Sequence, residues 1–177
     1  MGLLKDKVAI VTGAGGGLGR AHATLLAAHG AKVIVNDLGG ARDGTGSGAS
    51  MADSVVAEIT EAGGTAVANY GSVTDESAAR EMVQTAVDHY GGLDILINNA
   101  GILRDRSFKN MTHDEWDSVI DVHLRGSYLT THFAWQQMLA QGRGGRIIMT
   151  SSTSGLIGNF GHTNYGAAKA GVAGFMR

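Results

Sequence analysis

Short apolar runs alternate with longer stretches of helical periodicity along the whole chain. Residues 8–11, Val-Ala-Ile-Val, form an uninterrupted apolar run, the pattern of a strand buried on both faces. After a glycine-rich turn, Leu18, Ala21, Leu25 and Leu26 fall on one stripe and predict a helix. Residues 32–36 read as a second strand, and residues 38–50 as a glycine-rich loop without period. A helix over residues 51–62 stops at Gly63-Gly64, and one over residues 75–90 stops at Gly91-Gly92, as left-handed C-caps require. Between them lies a third strand at residues 65–69, and a fourth follows at residues 94–97. Thr112 or Asp114 can cap a long helix that runs to about Ala140. Residues 146–150 make a fifth strand, and a last helix begins near Asn164 and is still running at Arg177.

Strand-helix alternation of this kind predicts an α/β fold, a doubly wound parallel sheet with helices on both faces. No linker or repeat divides the chain, so residues 1–177 read as a single domain. Ligands of such sheets lie beyond the carboxyl ends of the strands, and every chemical motif below falls at such an end.

Composition narrows the function classes. Apolar residues make up 44% and charged residues 17%, which excludes a disordered chain. A net charge of −2 gives no electrostatic grip on nucleic acid or an anionic membrane. With no cysteine there is no disulfide framework, thiolate metal site or thiol nucleophile. No apolar run approaches the ~20 residues that span a bilayer, and the start of the chain lacks a signal-peptide core. The last residues are not a Ser-Lys-Leu peroxisomal address. A cytoplasmic setting and a small-molecule substrate are the expectation.

The turn from Thr12 to Gly19 joins strand one to helix one. Thr12, Gly13, Gly17, Leu18 and Gly19 would let backbone amides and a helix N-terminus approach a pyrophosphate. Asp37 ends strand two, where a carboxylate accepts the hydroxyls of an adenosine ribose and repels a 2′-phosphate. No basic residue sits inside the glycine-rich turn, although Arg20 and Arg42 are nearby, so the pattern favours NAD over NADP. Asn98-Asn-Ala-Gly101 ends strand four, where small residues admit a cofactor and asparagine amides brace neighbouring backbone.

The chemical half lies downstream. Tyr165 and Lys169 are four apart on a helix and share a face. A free phenol, with pKa ~10, is a poor base at neutral pH, and a neighbouring ammonium favours its phenolate. Ser152, at the end of strand five, can hydrogen-bond a substrate oxygen. Together these groups can move a proton on and off an alcohol while a cofactor moves the hydride.

In their order and spacing these motifs resemble the short-chain dehydrogenase/reductase family, over the whole chain. The resemblance implies a Rossmann-like doubly wound sheet and a hydride exchange between NAD and a secondary alcohol or ketone. It assigns Ser152, Tyr165 and Lys169 to catalysis. It adds Ser72, Val73, Asn99, Ala100, Gly101 and Val122, with Tyr165 and Lys169 again, to the cofactor contacts. A narrower resemblance, to the (3R)-hydroxyacyl-CoA dehydrogenase units of multifunctional peroxisomal enzymes, rests on Asn36-Asp-Leu-Gly-Gly40, Val122-His-Leu-Arg-Gly-Ser127 and Gly158-Asn-Phe-Gly161. It implies oxidation of (3R)-3-hydroxyacyl-CoA to 3-ketoacyl-CoA, in fatty-acid β-oxidation. A hydroxysteroid dehydrogenase, a 3-oxoacyl reductase and a catalytically silent nucleotide-binding fragment stand as alternatives.

His123 occupies the position where the wider family carries an asparagine that holds a water of a proton relay. A histidine can serve a relay. It also shares a stripe with Trp116, Val119, Ile120 and Ser127, which fits a core histidine, and both readings stand. His22, His29, His89, His113, His132 and His162 show no metal-ligand spacing and read as surface or structural, so no metal is expected. Trp116 and Trp135 read as core or interface.

The resemblance also implies homo-oligomers, dimers or tetramers. Family members continue well past the Tyr165–Lys169 helix, so the sheet is expected to be truncated after the fifth strand and the start of the following helix. The expectation is an incomplete domain with poor turnover and an uncovered fifth strand.

Overall fold

A computed structural model describes residues 2–177; Met1 lies outside the described residues. Five strands form one parallel sheet in the order β3-β2-β1-β4-β5. They are β1 (Val8–Thr12), β2 (Lys32–Asn36), β3 (Thr65–Asn69), β4 (Ile95–Asn98) and β5 (Arg146–Met149). The helices are α1 (Gly17–Ala28), α2 (Ser50–Glu61), α3 (Glu76–Tyr90), α4 (His113–Ile120), α5 (Gly126–Ala140), α6 (Thr153–Ile157) and α7 (Thr163–Met176).

The uninterrupted apolar runs are buried for the expected reason. β1 lies between β2 and β4, with Ile10 facing Ile34 on one side and Leu96 on the other. All three side chains are fully buried, each worth roughly 1.5–3 kcal/mol of apolar transfer. Two apolar clusters cover the two faces. Ala79, Met82 and Ala86 of α3 join Leu129, Phe133 and Met138 of α5 on one. Ala23 and Ala27 of α1 join Ala52, Val55 and Ile59 of α2 on the other.

Successive strands step outward from β1 to β3, and β4 then returns to the other side of β1. That reversal opens a crevice beyond the carboxyl ends of β1 and β4, the place where this topology receives ligands. The turns that lead there are locally built. Asp75 caps α3 by accepting the Ala78 N–H at 2.7 Å, and Gly91 closes it in the left-handed region. Thr112 and Glu115 form a reciprocal capping box at the start of α4.

Three expectations are corrected. Leu18 and Leu25 do not face the sheet but are exposed; the buried stripe of α1 is Gly19, Ala23 and Ala27. Small residues let this helix approach the sheet closely, and side-chain hydrophobicity points the other way. The long helix from Thr112 is interrupted by a π turn over Asp121–Arg125 before α5. Ser127 Oγ donates to the His123 carbonyl at 2.6 Å, and Thr130 Oγ1 to that of Gly126 at 2.8 Å, so local hydroxyls engage carbonyls in and beside the turn. Two short helices, a 3₁₀ turn at Phe108–Asn110 and α6, lie where the sequence shows no period. Among the described residues no helix is long and apolar enough to cross a membrane.

Candidate active site

A groove of about 790 Å³ crosses the carboxyl ends of the strands, from Asp37 and Arg42 at one end to Tyr165 and Lys169 at the other. Gly13, Gly17 and Leu18 form its floor under the first turn, Ser72 and Val73 one wall, and Asn99, Ala100, Gly101, Val122 and His123 the centre. Most of the residues singled out from sequence are therefore brought together. Thr12, Gly19 and Ser152 are not among the groove's lining.

Thr12 and Gly19 act from beneath. The Thr12 hydroxyl accepts the N–H groups of Asn99 and Ala100, each at 3.0 Å, and donates to the Ile97 carbonyl. Asn99 Nδ2 donates in return to the carbonyls of Thr12 and Gly13. The ends of β1 and β4 are thus tied into one rigid floor. A Cβ on Gly19 would stand 2.0 Å from the Gly13 carbonyl oxygen, so α1 meets the turn only because this residue has no side chain.

Asp37 is half-buried, and its carboxylate accepts the N–H of Gly15 at 2.8 Å and of Gly39 at 2.7 Å. It braces the glycine-rich turn and keeps acceptor capacity toward the groove, since each carboxylate oxygen carries a second lone pair. Over this end lies the segment of residues 38–49, tied across to the far bank by the Leu103 N–H to Arg42 carbonyl bond.

At the other end, Lys169 is buried and donates from Nζ to the Thr150 carbonyl at 2.5 Å. Nζ lies 5.6 Å from the Tyr165 ring centroid. Burial pushes its pKa down from the usual lysine range to about 8. His123 is equally buried. Its Nε2 faces the Ile102 carbonyl at 2.8 Å, and its ring stands perpendicular to that of Tyr165 with centroids 5.1 Å apart. A Cβ on Gly101 would meet this imidazole at 2.3 Å, so the small residue after β4 makes room for it. Desolvation, then the nearby Lys169 charge, hold the His123 pKa down to about 4, against the Ile102 bond. The imidazole is neutral at physiological pH; the Ile102 N–H also lies 3.1 Å from Nε2, and Nδ1 has no partner among the described residues. It is a buried histidine at the groove with one ring nitrogen unpartnered.

Ser152 ends the strand-five segment but turns its hydroxyl to α6, where Oγ accepts the Ser154 N–H at 3.2 Å. His162, taken from sequence as surface or structural, stands edge-on to Tyr165 with ring centroids 5.6 Å apart. Its spacing three residues before Tyr165, at the same helix start, was the available signal. Among the described residues no group of three or more His, Cys, Asp or Glu side chains could hold a metal ion.

The residues fit a dinucleotide. A glycine turn at a helix N-terminus suits a pyrophosphate, a carboxylate after β2 suits a ribose, and an ammonium-phenol pair closes the far end.

Comparison with known proteins bears on this arrangement. The family model described as short chain dehydrogenase matches residues 7–177. A short-chain type dehydrogenase/reductase of Mycobacterium tuberculosis is 54% identical over 173 residues, 98% of this chain and 60% of that protein. Peroxisomal multifunctional enzyme type 2 of Mus musculus is 56% identical over 168 residues, 95% of this chain and 22% of that protein. The crystal structure of a short chain dehydrogenase from Mycobacterium avium superposes with a TM-score of 0.90 at 52% identity, covering 98% of this chain and 62% of that one. The chain thus spans about three-fifths or less of the length of these relatives.

Proposed function

The chain belongs to the short-chain dehydrogenase family, and from that premise we propose that its groove binds NAD and serves the oxidation of a (3R)-3-hydroxyacyl-CoA to the 3-ketoacyl-CoA. The observation that carries this reading is the single groove joining Asp37 to Tyr165 and the buried Lys169. When bound, the nicotinamide supplies the hydride acceptor. Asp37 holds the ribose hydroxyls and leaves no room for the charge of a 2′-phosphate. The floor tied by Thr12 and Asn99 fixes where the dinucleotide lies.

Tyr165 takes the hydroxyl proton as the carbinol hydride leaves, so the alcohol loses two electrons and two hydrogens in balanced form. Lys169, cationic below about pH 8, favours the phenolate that accepts this proton. The unpartnered Nδ1 of His123 is left to pair with a water beside Tyr165. Ser152 holds the substrate oxygen once its hydroxyl leaves the α6 cap. The acyl-CoA choice, with its setting in fatty-acid β-oxidation, is supported by the likeness to a multifunctional peroxisomal enzyme.

A single-turnover assay, with protein in excess so that slow chemistry is still read, tests the proposal. NADH should form from NAD with the (3R)-3-hydroxyacyl-CoA at least tenfold faster than with the (3S) epimer or a hydroxysteroid. A faster reduction of a 3-oxoacyl substrate by NADPH would replace this reading with that of a reductase.

A further inference from the structure

Tyr165 is held by two imidazoles. His123 meets its ring at 89° and 5.1 Å between centroids, and His162 meets it at 85° and 5.6 Å. The first belongs to the π turn and lines the groove. The second begins α7 and does not line it. Nothing in the proton-transfer scheme uses His162, yet both of its nitrogens are engaged. Nε2 faces the Asp105 carboxylate at 3.4 Å, and Nδ1 faces the Ser154 hydroxyl at 3.4 Å.

Asp105 is itself set in place. The segment that carries it is stitched to the start of α7 on either side, by the Arg106 N–H to Gly161 carbonyl bond at 3.0 Å and the Asn164 Nδ2 to Arg104 carbonyl bond at 3.0 Å. The His162 ring therefore has a fixed plane: a carboxylate at one nitrogen, a hydroxyl at the other, and backbone stitches holding both banks. That ring stands across the ring of Tyr165.

We propose that His162, oriented by Asp105 and Ser154, is a positioning residue for Tyr165 that holds its side chain in one χ1 rotamer and so aims its hydroxyl at the reacting alcohol. The inference rests on the reading of Tyr165 as the proton-transfer group. Tyr165 is only half-buried, so its own packing leaves the ring open on the groove side. An edge-to-face contact is worth about 0.5–1.5 kcal/mol beyond burial, enough to favour one rotamer of a side chain otherwise open on one side. Misplacement of a reacting group by about 1 Å can cost about 10²-fold in rate, so orientation of this ring has leverage on turnover.

The test reads the side chain directly. The chain has four tyrosines, so carbon-13-labelled tyrosine gives a spectrum in which Tyr165 is assigned by its loss in Tyr165→Phe. The proposal expects a proton–proton Overhauser contact between the His162 and Tyr165 rings, and the Hα–Hβ couplings of a single χ1 rotamer at Tyr165. It expects His162→Ala to average those couplings over several rotamers, and His162→Phe, which keeps an aromatic ring, to restore the single rotamer. Asp105→Ala should average them less. In single turnover, His162→Ala should lower the rate about tenfold with the Kd for NAD unchanged. Unchanged Tyr165 couplings in His162→Ala overturn the proposal. So does a change shared by Tyr90 and Tyr128, or a matching loss of NAD affinity, since each makes His162 a general support of the fold. The failure of the underlying reading looks different: Tyr165→Phe would then turn over as fast as the parent chain, whatever the couplings.

Discussion

Two buried nitrogens set the chemistry of the site. Lys169 and His123 are both pushed toward their neutral forms by loss of water, to about 8 and about 4. The consequences for stability run in definite directions. His123 stays neutral in the fold to about pH 4 while an ordinary imidazole takes its proton near 6.5, so the unfolded chain binds that proton first as pH falls. Its contribution is complete above about pH 6.5 and is lost toward pH 4, roughly 3 kcal/mol in all. Urea unfolding of His123→Asn should therefore lose less stability between pH 7 and 4.5 than the parent chain, by close to that amount.

Lys169 is held as a cation below pH 8 at the cost of its water. Lys169→Met should slow the hydride step by at least 10²-fold, in the range of general acid-base effects, yet melt no lower than the parent. A lower melting temperature would mean that the Thr150 bond outweighs the desolvation. That Tyr165, Lys169, Asp37 and the glycine turn share one groove was legible in the sequence, from a helix spacing of four and from turns after β1 and β2. For His162 only its nearness to Tyr165 was legible; its contact with Asp105, 57 residues earlier, is made by the fold.

Elements were legible where local chemistry closes them. Gly63 and Gly91 ended their helices as read, and Thr112 capped the long one. The stripe of α1 was misread because the helix packs through Gly19, Ala23 and Ala27, and sheet proximity rather than side-chain bulk decides that face. Gly19→Ala follows from this packing. The methyl group would improve helix propensity by about 1 kcal/mol, but it must displace the Gly13 carbonyl. The expected net result is a loss of at least about 2 kcal/mol in denaturant unfolding, in the range of overpacking, with NAD affinity reduced more than tenfold. The π turn escaped the pattern because Asp121–Arg125 keeps the apolar periodicity of its neighbours; the extra residue per turn is visible only in backbone bonding. It is what carries His123 into the groove.

At the scale of the molecule, the sheet ends on β5, which pairs with β4 alone among the described residues. Ile147 and Met149 of that strand line a groove of about 820 Å³ with Trp135, Leu139, Phe175 and Met176 of α5 and α7, and Ile148 between them is half exposed. An apolar edge of this kind favours association. Sedimentation should show the parent chain associating with rising concentration, and Ile148→Lys should reduce it. The doubly wound order itself was legible, since strand-helix alternation admits few topologies. What composition could not show was the run of one groove across four strand ends, from the carboxylate after β2 to the helix after β5. Calorimetric titration of NAD and of NADP into the same chain tests that run most directly, because it needs no substrate and no turnover. The account predicts NAD binding at least tenfold tighter, with the gap narrowed in Asp37→Ala; NADP binding as tightly as NAD, or neither nucleotide binding, would contradict it.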